Sequence, residues 1–214
     1  MNQKNITTYS GWIAAGVMAF FMVGSGFQGA QDKTGVIDFN LVIQNSNAGK
    51  QGSAKLKDAI SARSGLIDMV ETYPVMTTEQ AENLKQLMLK EAQTPADKAG
   101  VDKIKADLLA SDKKRSDLMG KSTLTESERQ LLTEYSQRVR ANEQRLDVWQ
   151  REFSNEISDL RDSTMTGLLT SAKASLNTIA KAQGFSTVLN SEVAPYGAND
   201  LTDATIKALD AKKN

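Results

Sequence analysis

The side chains that could do chemistry in this 214-residue chain are hydroxyls, amines, carboxylates and phenols, because it has no histidine and no cysteine. Without cysteine there is no disulfide, no thiolate nucleophile, no thiolate-bound zinc and no iron–sulfur cluster. Without histidine there is no Ser-His-Asp triad, and the common general base near neutral pH is missing. A Ser/Lys hydrolase dyad remains conceivable, since serines and lysines abound, but no strained G-x-S-x-G elbow holds one in place. There is also no glycine-rich phosphate loop and no metal-ligand spacing. No cofactor and no enzymatic activity are expected.

Three other groups can be read as sites, and each has a plainer structural reading. Tyr196 follows Pro195 and is expected to pack between a strand and the final helix. Asp38 lies among apolar residues and is expected on the exposed face of a first strand. Lys113, Lys114 and Arg115 form a basic run between Asp112 and Asp117, the pattern of a solvated helix face. The formal net charge is zero, so there is no general drive toward nucleic acid.

The elements that would position any site begin after residue 30. Residues 1–30 carry Lys4 as their only charged side chain. Within them Trp12–Val23 is an apolar block, followed by the small residues of Gly24–Ala30. A positive start, a short apolar core and a small-residue zone match an export signal. The alternative is a retained membrane anchor, although a full span needs about 20 apolar residues. Either way the rest of the chain is expected outside the cytoplasm.

Gly35–Asn40 is a short β-like run, and Leu41–Asn45 either continues it or begins a helix. From Ser53 to Ala182 the residues favour helix, with breaks that have their own chemistry. Pro74 stops one helix. Thr77 with Gln80, Thr94 with Pro95, and Thr125 with Glu128 each open another. The last of these runs from about Glu126 to Ala182, far beyond the globular norm of about 11–12 residues. It has a seam. Leu132, Val139, Leu146, Phe153 and Leu160 recur every seventh residue, with Tyr135, Asn142 and Trp149 as the second series. After Phe153 the phase slips by four, a stutter. Aromatics are only 6% of the chain, which suits a thin seam better than a globular core. The preceding helices are expected to run up, turn near Gly120–Leu124 and return along the long one as a coiled-coil hairpin, unless the joints at Tyr73–Thr78 and Gln93–Pro95 redistribute the path.

Gly184 is placed to end the long helix. Phe185–Asn190 then reads as a strand, Ser191–Asn199 as a second short extended stretch, and Asp200–Asp203 as the start of a closing helix. The fold class is therefore α+β, mostly α. Residues 31–50 and 183–214 would form a β-containing base, with 51–182 inserted as a helical arm.

Val36–Ile43 and the exit segments Ala182–Asn190, Val193–Tyr196 and Asp200–Asp203 together resemble the OmpH-like (Skp) family of periplasmic chaperones. The resemblance implies a homotrimer with a shared β base and helical arms that enclose unfolded outer-membrane or exported client proteins without ATP. Base residues would be Val36, Ile37, Phe39, Val188, Leu189, Tyr196 and Leu201. The arm seam would be Leu132, Tyr135, Val139, Leu146, Trp149, Phe153 and Leu160. Membrane contact would come only through the N-terminal segment, if it is kept. The alternative function is a membrane-tethered coiled-coil scaffold of the cell envelope.

Overall fold

The computed structural model describes residues 33–195, 197 and 199–211. Strand β1 (Lys33–Ile37) leads into α1 (Phe39–Asn45) and α2 (Asn47–Thr72). Helices α3 (Thr78–Met88), α4 (Pro95–Met119) and α5 (Glu126–Ala182) follow, then β2 (Phe185–Asn190) and α6 (Thr202–Ala211). Residues 1–30, for which an export signal or a retained anchor is expected, and Tyr196 lie outside the described residues. No helix among the described residues is long and apolar enough to cross a membrane.

The base is a two-stranded parallel sheet of β1 and β2. A third backbone segment joins β1 on its other side through an isolated bridge between Val36 and Asp200. Ile37, Val42, Ala172, Leu176, Leu201 and Leu209 form the base core. The base therefore includes the last turns of the long helix as well as the two chain ends.

Two expectations are corrected here. The first strand ends at Ile37, because Asp38 starts α1 as its N-cap, accepting from the Leu41 amide at 2.9 Å. Asp38 is thus a cap rather than a strand residue, and its own amide donates to Thr202 Oγ1 at 2.9 Å. The stretch after β2 forms turns and the single bridge rather than a further strand.

Between α1 and α2 the chain bends at Ser46, whose buried hydroxyl accepts from the Gly49 amide. A side chain at Gly49 would put its Cβ 1.5 Å from the Ile43 carbonyl oxygen, so only glycine permits this corner. At the other end of the arm's root, Gly184 takes φ +73° just past the end of α5. That left-handed conformation lets the helix stop and β2 begin.

The arm is not a simple hairpin. Helix α2 runs antiparallel to α5, with Arg63 opposite Glu156. At Tyr73–Thr77 the chain reverses. Thr78 then meets Arg145, and Lys85 meets Glu152. Both contacts advance in the same direction, so α3 runs parallel to α5, back toward the base. A second turn sends α4 outward again, and its end brings Leu118 to Tyr135. Helix α5 is the return limb for the whole arm, and at 1.5 Å per residue it reaches about 85 Å. The sequence marks the helix starts correctly. Thr77, Thr94 and Thr125 all make reciprocal capping boxes, each worth about 1 kcal/mol.

Candidate functional surfaces

The seam residues are placed against different neighbours along α5. Tyr135, Asn142, Trp149 and Phe153 are buried, while Leu132, Val139, Leu146 and Leu160 are half-buried. Trp149 and Phe153 pack ring to ring, centroids 5.8 Å apart, in a core with Leu66, Met69, Leu84, Val101 and Leu108. All three of the other arm helices contribute to that core. The Lys85 ammonium lies 5.5 Å from both ring centroids and bonds Glu152 at 2.7 Å, holding α3 over the aromatic pair.

Asn142 is the polar residue of the seam. Its amide donates to the carbonyls of Pro74 at 2.7 Å and Met76 at 2.9 Å, and its oxygen accepts from Arg145. A helix end and turn leave carbonyls without intrahelical partners, and Asn142 supplies the donors. The register of α5 is thereby fixed to the α2–α3 reversal. Burial lowers the Arg145 pKa, against an opposing pull from Glu82.

Between the base and this core lies a neck. No residue from 50 to 65 in α2, or from 154 to 171 in α5, is buried. The two helices approach closely at Gly52, where an added Cβ would come 2.9 Å from Thr164. Gly167 has open space around its missing side chain.

The base residues divide between core and surface. Ile37, Phe39, Val188 and Leu201 meet in the base core. Val36 is buried between β2 and the Asp200 bridge. Leu189 is exposed, together with Leu41 and Val193, which sequence reasoning did not single out. Val193 is 78% exposed, a large apolar side chain left on the surface beside β2. Among the described residues, the outer edge of β2 has no neighbouring strand.

Among the hollows on the arm, two have partly apolar walls. One, of about 560 Å³, lies between α2 and α5 and is lined by Ile60, Ile67, Phe153 and Ile157 among others. The other, of about 510 Å³, lies between α4 and α5 nearer the tip, with Met119, Leu132, Tyr135 and Val139 in its walls. Two capping carboxylates beside the arm's turns are held strongly ionised. The Lys90 ammonium, then the Thr94 amide and hydroxyl, pull Asp97 down to about 2. Lys121, then the Thr125 amide, do the same for Glu128, also to about 2. No cluster of acidic residues among the described residues could hold a metal ion.

The chain has no significant match among curated proteins or among solved structures. Residues 33–209, which span both strands, the whole arm and most of the closing helix, match the outer membrane protein (OmpH-like) family. With that match over most of its length, the chain belongs to the OmpH-like family, a family of chaperones rather than enzymes.

Proposed function

We propose that this chain is an ATP-independent holdase of the periplasm, which works as a homotrimer and encloses unfolded outer-membrane or exported proteins. The observation that carries this reading is the division of the chain. A small base whose β2 edge is unpaired among the described residues is attached, through a neck without buried residues, to an arm spanning tens of ångströms. An unpaired edge invites pairing with another chain. Leu41, Leu189 and Val193 supply apolar surface around it, and three copies joined there would be more stable than a lone base. The arms would then stand out from one body. Their mixed charges and apolar grooves offer many weak contacts, which keep a client from aggregating without fixing its shape. The N-terminal segment would direct export and be removed.

The test is dilution of a denatured β-barrel protein with and without the purified chain, reading light scattering and the mass of the complex. Suppressed scattering and a complex containing three chains are expected. A chain that stays monomeric at micromolar concentration, or leaves aggregation unchanged, refutes the reading. An uncleaved N-terminus on a membrane-bound filament would favour the scaffold alternative.

A further inference from the structure

The chain has no cysteine and no histidine, so methionine sulfur is the softest group that an oxidant meets on it. The fold sorts the methionines sharply. Met69 and Met76 lie in the arm core, 7% and 1% exposed, and Met88 is half-buried against the same core. Met119 is 66% exposed and Met165 45%. These two differ in their surroundings. Met165 stands on the neck stretch of α5 and lines neither of the two apolar-walled hollows. Met119 is the last residue of α4 and shares the wall of the distal hollow with Leu132, Tyr135 and Val139. Arg115 and Arg140 line the same hollow. Arg115 comes four residues before Met119, on the same face of α4, and Arg140 comes from α5. Arg115 is held only loosely by Asp112, at 3.6 Å. An exposed thioether thus sits in an apolar wall with two guanidinium groups beside it.

We propose that Met119 is a reversible oxidation site, converted to its sulfoxide by a two-electron oxidant such as hypochlorous acid, and that the conversion turns the distal hollow from apolar to polar. In the step the sulfur lone pair attacks the oxygen of hypochlorous acid. An S–O bond forms, the O–Cl bond breaks, chloride leaves and the hydroxyl proton passes to water. Sulfur loses two electrons and chlorine gains them. A thiol-dependent sulfoxide reductase reverses it, two electrons and two protons returning the thioether and releasing water. Thioether sulfur is a weak acceptor, whereas the sulfoxide is polar. Its oxygen can accept charge-assisted bonds from Arg115 and Arg140, which favours the polar form of the wall. Exposure lets this happen in the folded protein, while Met69 and Met76 become reachable only when the arm core opens. The proposal goes beyond the holdase reading, since it needs an exposed thioether and no client.

The test uses the whole folded protein, hypochlorous acid added in steps, and peptide mapping by mass spectrometry. Met119 is expected to be oxidised at least about 10-fold faster than Met69 and Met76. The hollow is read by the fluorescence of 8-anilino-1-naphthalenesulfonate, an apolar anion that suits an apolar wall beside two cations. Oxidation of the parent chain is expected to lower the bound-probe signal, and a sulfoxide reductase with thiol to restore it. Met119→Leu keeps the wall apolar without sulfur and is expected to hold its signal under the same oxidant. Met119→Gln, a polar acceptor of similar length, is expected to show the lowered signal before any oxidant is added. Met165→Leu is expected to lose signal as the parent does. All three substitutions are at exposed positions and are expected to leave the denaturant midpoint unchanged. Oxidation of Met119 no faster than that of Met76 overturns the proposal, as does an unchanged probe signal once Met119 is fully oxidised. A loss that persists in Met119→Leu overturns it too, because another residue would then be the switch. None of these failures touches the holdase reading, which aggregation suppression by the unoxidised chain tests separately.

Discussion

The neck and the cored section of the arm are built from the same two helices, α2 and α5, yet one contains no buried residue and the other buries an aromatic pair. The difference lies in what covers the seam. In the cored section α3 and α4 fold back over α2 and α5, and Leu84, Val101 and Leu108 fill the space above Trp149 and Phe153. In the neck no buried side chain among the described residues covers the pair, and Leu160 stays half-buried although it continues the seven-residue series. A heptad pattern specifies which face is apolar. How dry that face becomes depends on how many helices meet there.

The largest test of this contrast is deletion of matched seam groups. Phe153→Ala removes a buried ring from the cored section and is expected to cost about 3–5 kcal/mol. Leu160→Ala removes a half-buried group from the neck and is expected to cost well under about 2 kcal/mol, because less transfer energy and little cavity are involved. Denaturant midpoints with unchanged slopes check both. Equal losses at the two positions would break the comparison.

A smaller effect concerns the reversal that creates the cover. Asn142→Ala leaves the Pro74 and Met76 carbonyls without their donor, at about 1–3 kcal/mol. Amide exchange is expected to accelerate around Tyr73–Thr78 and less so in α6. Unchanged exchange at the turn would show that packing alone holds α3 in place.

The neck can be stiffened without adding a contact. Gly167→Ala fills open space in a helix interior and is expected to stabilise by about 0.5–1 kcal/mol, with more helical signal. Gly52→Ala, facing Thr164, is expected to bring no such gain.

The smallest effect is electrostatic. Asp97 and Glu128 have folded pKa values near 2, below their ordinary values of 3.8 and 4.5. A carboxylate with a depressed folded pKa contributes stability that is present above its unfolded pKa. That contribution is lost as the pH falls toward the folded value. An acid titration from about pH 5 to about pH 2 is therefore expected to loosen the turns beside α4 and α5 progressively. Asp97→Asn should flatten the profile at the α3–α4 turn. An unaltered profile would show that the Lys90 pair contributes nothing there.

The helix boundaries and the seam were legible because their causes are local. A threonine with an acceptor or donor three residues on, a proline, or a seven-residue recurrence can be seen in a single stretch of chain. The direction of α3 was not legible. A capping box marks where a helix begins but not which way it points, and the donors that fix this turn come from Asn142, far along the chain. Asp38 was misread for a related reason. A carboxylate beside apolar residues looks the same in a strand as at a helix start, until the Leu41 amide is seen to donate to it and the Asp38 amide to donate to Thr202. The division of the base residues into core and surface also depends on tertiary contacts. Ile37 and Leu189 have similar side chains, and only the neighbouring α1, α5 and α6 separate them.

Amide hydrogen exchange along α5 tests the central contrast most directly, since a single helix passes through the tip, core, neck and base. Slow exchange is expected around Asn142–Phe153 and again around Ala172–Ala180, with a distinctly faster stretch between residues 154 and 171. Uniform protection from Asn142 to Ala180 would contradict it, and would make the arm one rigid rod on its base.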